Sequence, residues 1–233
     1  MKTLIKKYRK FIKFKKQFNY FKENNNNNET MDWSDRWPCY DDSSSGLGYD
    51  RHYVYHTAWA ARKLAIIKPN YHVDIASLLY FSTIVSAFIP VKFYEYRPPN
   101  FDLQDFQADF VDLKNLHFDD NSIKSLSCMH AVEHIGLGRY GDEIDPDGDI
   151  IAINELKRVL AYNGDLLFVV PIGKSRIQFN AHRIYSHNKI LEYFKDFKLM
   201  EFAIVPEDLI INPSEEIINS QTFACGCYWF RKI

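Results

Sequence analysis

The side chains with the greatest chemical reach fall together at His130-Ala131-Val132-Glu133-His134. Two imidazoles and a carboxylate in so short a run can move protons near neutral pH, where histidine titrates. The order is not the H-E-x-x-H spacing that sets two histidines and a base around zinc, and no third ligand is specified, so no metal is expected. His134 is the expected base toward an acceptor, with Glu133 beside it and His130 as a pocket wall. A second group follows at Lys174, Arg176, His182 and Arg183. Cations on one loop can converge on an anionic acceptor such as a phosphate, and His182 is a second candidate base. Between the two groups runs a Gly- and Asp-rich loop, Gly136 to Gly148, expected to cover the site, with Arg139 and Tyr140 touching the substrate. Its acids resemble a calcium loop by composition, but the sixth-position glycine and twelfth-position glutamate are missing. Asp147 or Asp149 is expected to cap the helix that follows.

Those residues need a frame. Helical periodicity covers Arg51 to Lys68, where Pro69 stops it. Strand and helix then alternate: a strand from Tyr71 to Ala76, an apolar helix to about Phe88, a strand from Val91 to Tyr96 and a short one ending near Phe110. The strand Ser125 to Met129, a helix from about Asp149 to Leu160 and the strand Leu166 to Val170 continue the alternation. A helix from Ser186 to Phe194 and two strands, Leu199 to Val205 and Thr222 to Phe230, close it. Alternation implies parallel strands joined by crossover helices, and two final strands without an intervening helix imply an antiparallel pairing. The expected fold class is therefore α/β, a mostly parallel Rossmann-like sheet with its last strand antiparallel and helices on both faces. Ligands of such sheets bind at the carboxyl ends of the strands. Asp74 ends the first strand, and Glu95, 21 residues later, ends the second, a spacing at which a carboxylate can accept both hydroxyls of a ribose. Arg97 can pair with Glu95 or receive a phosphate.

A chain of 233 residues, 46% hydrophobic, can bury a sizeable core as one domain with an appendage. The appendage is marked by charge. Residues 1–22 hold nine Lys or Arg and no acid, with Leu4, Tyr8, Phe11, Ile12, Phe18 and Phe21 at helical spacing among them. They read as a basic amphipathic helix that either lies on an anionic membrane surface or docks on a partner. Residues 23–48, rich in Asn and Ser through Asn24 to Asn28 and Ser43-Ser44-Ser45-Gly46, read as a linker, and 49–233 as the folded domain. Cys39, Cys128, Cys225 and Cys227 lack C-x-x-C spacing, and neither a spanning segment nor a secretory signal is recognised, so a cytoplasmic location, peripheral to the membrane, is expected. The remainder beyond residue 22 carries 20 basic against 30 acidic residues, which disfavours nucleic acid as a partner.

The order of elements resembles class I S-adenosylmethionine (SAM) dependent methyltransferases. The runs Glu133-His134-Ile135-Gly136-Leu137-Gly138-Arg139-Tyr140-Gly141-Asp142, Asp145-Pro146-Asp147-Gly148 and Phe179-Asn180-Ala181-His182-Arg183 further resemble a domain-of-unknown-function family, with bacterial and nematode members, related to those enzymes. This resemblance covers about Tyr71 to Glu207 and implies SAM as cofactor. It implies Asp74, Ala76 and Ser77 at the cofactor turn, Glu95 at the ribose, Asp109 and Phe110 at the adenine edge, and His130 at the amino-acid end. The turn departs from the methyltransferase pattern: Ala76, Leu78 and Tyr80 stand where glycines usually allow close approach.

The expected function is methyl transfer to a hydroxyl or phosphate of a small acceptor, such as a sugar in surface polysaccharide biosynthesis. The alternative is a catalytically inactive scaffold of the same fold, its cofactor cleft filled by Leu78, Tyr80 and Phe81.

Overall fold

The computed structural model describes residues 2–25, 31–40 and 48–233, in two compact units, Met1–Tyr49 and Asp50–Ile233. Part of the expected linker, Asn26–Asn28 and Ser43–Gly46, lies outside the described residues. In the first unit the basic segment forms helix α1 (Lys2–Glu23). A 3-10 turn at Trp33–Asp35, N-capped by Asp32, sets the Trp33 ring against Phe18 with centroids 4.8 Å apart and against Phe14 at 6.0 Å. A stretch read as linker thus buries part of the helix's apolar face, because one indole supplies enough apolar area to hold a short turn. Leu4, Tyr8, Tyr20 and Phe21 stay exposed. Among the described residues no helix is long and apolar enough to cross a membrane.

The second unit opens with helix α2 (Arg51–Ile67), whose N-cap Asp50 accepts from the backbone N–H groups of His52 and Tyr53. Strand β1 (His72–Ile75), helix α3 (Leu79–Val85), β2 (Val91–Glu95) and β3 (Phe106–Phe110) follow. Then come β4 (Ile123–Met129), helix α4 (Gly148–Val159) and β5 (Leu160–Ile172). A small hairpin, β6 (Arg176–Gln178) with β7 (His182–Ile184), leads to helix α5 (His187–Tyr193), and β8 (Phe197–Val205), β9 (Ile210–Ile211), helix α6 (Glu215–Ser220) and β10 (Ala224–Lys232) complete the chain. The main sheet has the order β3-β2-β1-β4-β5-β10-β8-β9. Pairs among β1 to β5 are parallel, while β10 runs antiparallel to both β5 and β8. The mostly parallel α/β sheet and its antiparallel closing strand are as the pattern implied; the hairpin and β9 were not foreseen, being too short to show a period.

Period-two alternation builds a core on each face. Along β5, Leu166, Phe168, Val170 and Ile172 join Ala152, Ile153 and Leu156 of α4 and Ile190 and Phe194 of the α5 segment. Leu167 and Val169 point the other way, toward Trp59, Ala60 and Leu64 of α2 and Phe81 and Val85 of α3.

Inside this apolar sheet lies a polar chain. The His72 ring is bonded through Nδ1 to Ser125 Oγ (2.8 Å) and through Nε2 to Ser127 Oγ (2.9 Å), and the Ser127 hydroxyl donates to Asp74 Oδ1 (2.7 Å). Ser82 of α3 donates to the other carboxylate oxygen. Burial pushes Asp74 up to about 6 against the hydroxyl donors, and burial holds His72 down to about 3. The unfolded chain protonates His72 near 6.5 and the folded chain only near 3, so this contribution to stability is full above about pH 6.5 and is lost as pH falls toward 3. His72→Asn, which keeps polar partners for the two serines, is expected to flatten the decline of unfolding free energy between pH 6.5 and 4 in urea titrations. An unchanged slope would remove His72 as its source.

Candidate functional site

At the carboxyl ends of β1, β2 and β4 the sheet opens into a cavity of about 670 Å³, within the range of small-molecule sites. Ile75, Leu79, Phe93, Val111 and Leu113 give it apolar walls, and Glu95, Arg97, Asp112, His130 and His134 are among the polar groups that face it.

The turn after β1 works without glycine. Ala76 takes the left-handed conformation at φ 55°, at a cost of about 1 kcal/mol for a residue with a Cβ, and its N–H donates to the Tyr94 carbonyl (2.8 Å). Ser77 Oγ accepts from the Met129 N–H (3.1 Å), tying the turn to β4. Ala76 and Ser77 line the cavity, whereas Asp74 does not: its fully buried carboxylate is engaged by Ser127 and Ser82 beneath the turn. The cleft is not filled as the scaffold alternative required. Tyr80 is 74% exposed, Phe81 is buried against the α2 face, and Leu78 packs there with it.

Glu95 lines the cavity at the end of β2 as its spacing implied, with Oε1 accepting from the Tyr96 N–H (2.9 Å). Asp109 and Phe110, expected at an adenine edge, do not reach the cavity. Asp109 and Phe110 pair with Tyr94 and Glu95 inside the β2–β3 ladder, are exposed, and lie outside the lining. The chain turns over the cavity only at Val111–Lys114, where Asp112 Oδ1 accepts from the Lys114 N–H (2.9 Å) and closes an Asx turn. Asp and Asn three residues apart, Asp112 and Asn115, were the sequence signal for this turn.

Beyond β4 the backbone turns sharply at His130 (φ 56°) into a 3-10 turn at Val132–His134. His130 Nδ1 is bonded to Glu133 Oε1 (2.8 Å); Glu133, 1% exposed and outside the lining, therefore orients His130 and does not meet an acceptor. His134 lines the cavity, and its Nδ1 lies 2.7 Å from the Ala181 carbonyl. A carbonyl only accepts, so in a neutral ring this nitrogen carries the proton; Arg139 also lies 3.3 Å from it, and Nε2 lies 3.8 Å from Glu133 Oε1. His182 stands behind, its ring 6.3 Å from that of His134, and burial lowers its pKa.

The covering loop is rigid for identifiable reasons. Gly136 sits at φ 77°, where a Cβ would come within 2.0 Å of the Asp145 carbonyl oxygen. Asp142 accepts from the N–H groups of Gly136 (2.8 Å), Gly138 (3.3 Å) and Tyr140 (3.2 Å). Burial raises its pKa, but these donors outweigh burial and hold the carboxyl below its usual range. Arg183, read as an acceptor-binding cation, is instead 5% exposed and clamps the loop: it donates to the carbonyls of Ile135 (2.6 Å), Asp145 (3.4 Å) and Pro146 (3.1 Å) and pairs with Asp149 (3.3 Å). Asp147 occupies the N-cap of α4 without a side-chain bond, and Asp149 serves Arg183 and the Tyr185 hydroxyl, so neither carboxylate caps the helix. Arg176 donates to the carbonyls of Lys174 and Thr222, and Lys174 is exposed; neither lines the cavity, so the expected cationic convergence does not form. Tyr140 does line it, flanked by the guanidinium groups of Arg139 (5.1 Å) and Arg97 (5.5 Å) over its ring.

Helix α2 adds residues that sequence reasoning passed over. Tyr53 and His56 set their rings 5.5 and 5.0 Å from His130, and His52 lies parallel to it at 6.4 Å. His52 and His56 at i, i+4 were the available signal.

Sheet order and the cavity at the strand ends together define a Rossmann-like, mostly parallel α/β fold with a ligand-sized recess. The chain belongs to the family described as Caenorhabditis protein of unknown function, DUF268, whose model matches residues 93–216, more than half of its length. No curated protein matches it. Among solved structures it is similar to the Burkholderia thailandensis 1,6-didemethyltoxoflavin-N1-methyltransferase with bound 1,6-didemethyltoxoflavin and S-adenosylhomocysteine. The TM-score is 0.55 and the identity 11%, over 76% of this chain and 78% of that one. It is also similar to a Haloferax volcanii chain from a complex with the Trm112 methyltransferase activator, at TM-score 0.54 and 18% identity, over 78% and 90% of the two chains. The [4+2]-cyclase SpnF matches at TM-score 0.51 and 12% identity, over 74% and 81%. At such identities the likeness is one of fold.

Gly136→Ala is expected to destabilise the domain by about 1–3 kcal/mol, since it combines a disfavoured φ with a backbone clash. Chemical denaturation would read this, and a variant as stable as the parent would show that the covering loop is not held as described.

Proposed function

We propose that the cavity binds SAM and that the domain transfers its methyl group to a hydroxyl of a small acceptor. The observation that carries this reading is the coincidence, in one open cavity, of Glu95 at the end of β2, Asp112 over the apolar wall, and His134, whose Nδ1 is engaged by the Ala181 carbonyl. The residues present fit the group: Glu95 suits ribose hydroxyls, Asp112 suits an amino edge, and Ile75, Leu79, Val111 and Leu113 suit a flat aromatic base. Bound SAM would supply a methyl carbon already electrophilic. The protein's part is then to position an acceptor and take its proton. His134 Nε2 is the base, and the Ala181 carbonyl steadies the imidazolium that forms by accepting from Nδ1–H. A hydroxyl is favoured over a phosphate because Arg176 and Arg183 are engaged by backbone carbonyls. A glycan acceptor at an anionic membrane surface would suit the exposed Leu4, Tyr8 and Phe21 of the basic α1.

Isothermal titration with S-adenosylhomocysteine tests the reading. Glu95→Ala and Asp112→Ala are each expected to weaken binding about tenfold or more, and Asp109→Ala to leave it unchanged. His134→Gln is expected to keep the affinity and lower the turnover of an accepted substrate by about 10²- to 10⁴-fold. Absence of binding heat and of thermal shift in the parent protein would overturn the proposal.

A further inference from the structure

Among the described residues four buried side-chain atoms have no hydrogen-bond partner: Nε2 of His56, Nε2 of His130, Oε2 of Glu133 and Nε2 of His182. An orphaned polar atom in a protein interior costs about 1–3 kcal/mol, so a concentration of them in one place requires a cause. Three belong to direct neighbours, since the His56 and His130 rings are 5.0 Å apart and Glu133 is bonded to His130.

In both histidines the other nitrogen is already engaged. His56 Nδ1 lies 2.6 Å from the His52 carbonyl and His130 Nδ1 lies 2.8 Å from Glu133 Oε1. Both partners are acceptors, so in the neutral ring each Nδ1 bears the proton and each Nε2 is left with its lone pair toward the interior. This is the arrangement in which an outer carbonyl or carboxylate fixes the tautomer of a metal-bound imidazole. The third element comes from β10: one donor atom each of His56, His130 and Cys225 lies within 4.8 Å of the others, with His56 and Cys225 fully buried.

We propose that His56 Nε2, His130 Nε2 and Cys225 Sγ bind one divalent transition-metal ion of the zinc class. Two imidazole nitrogens and a thiolate are the borderline-soft donor set such ions prefer. At ligand bonds of about 2.0–2.3 Å, tetrahedral donors stand about 3.3–3.6 Å apart, so the three side chains need to close by only about 1 Å. On binding, the Cys225 thiol loses its proton to solvent and forms the metal–sulfur bond. Thiolate and Glu133 carboxylate then balance the two positive charges of the ion, which gives the buried Glu133 a counter-charge. Since His130 lines the cavity, the ion has a route in, and its fourth position is open to water or an acceptor oxygen. The site stands independently of the methyl-transfer reading.

Metal content of the full chain, purified without chelator, and cobalt(II) titration of the chelator-stripped protein test it. The expected result is about one zinc per chain, and a cobalt spectrum of four-coordinate intensity with a thiolate charge-transfer band. Cys225→Ser and His56→Gln are each expected to abolish that band, while Cys227→Ser keeps it; circular dichroism checks that each variant is folded. Should the first two fail to fold, the parent protein decides alone. A parent that retains no metal and gives no thiolate band overturns the proposal, as does a band that survives in folded Cys225→Ser.

Discussion

A carboxylate sealed inside a sheet must be satisfied where it stands, and Asp74 sets that requirement at the point where the site begins. Its oxygens are engaged by Ser127 on β4 and Ser82 on α3, while Ser77 in the intervening turn holds the Met129 N–H. Desolvating a charge unaided costs several kcal/mol, so strand, turn and helix must keep the spacing that these hydroxyls impose. Hydroxyl side chains here do the work usually left to glycine, and Ala76 accepts a left-handed backbone as the consequence. The ends of β1 and β4 are thereby locked together under the cavity floor, with His130 leaving β4 at a fixed angle.

Much of this frame could be read in the chain. The helix Arg51 to Ile67, the alternation through β5 and the antiparallel final strand all follow from apolar periodicity and turn residues, because burial on both faces leaves few choices for such runs. Glu95 was legible because it depends only on where a strand ends. Other positions depend on partners far along the sequence. Asp74 looked like a ligand contact because nothing local reveals that Ser82 and Ser127 close over it. Asp109 looked like the adenine edge because the β2–β3 ladder runs to Phe110, a matter of pairing and not of composition. Arg183 looked like a substrate cation, since only the folded loop brings the carbonyls of Ile135, Asp145 and Pro146 to its guanidinium.

The cleft divides into two chemical regions. One is apolar with an acid at each rim, Glu95 and Asp112. The other is lined by His130 and His134, backed by Glu133, His182 and the histidines of α2. Burial lowers the pKa of His52, His56 and His182 around it, most clearly that of His56, which desolvation and the nearby His130 bring down to about 3. Neutral imidazoles are competent as bases and as donors to electrophiles, whereas their protonated forms are neither. The same burial that stabilises the domain therefore keeps this region chemically ready.

The position of β10 has a consequence for biosynthesis. It lies between β5 and β8, both of which precede it in the chain, and pairs with them over most of its length. Until the ribosome has extruded residues 224–232, β5 and β8 each present an unpaired edge of apolar residues. The sheet stays in two pieces whose exposed backbone invites pairing with other chains. Insertion of this one strand therefore covers both edges at once and joins the two pieces into a single sheet.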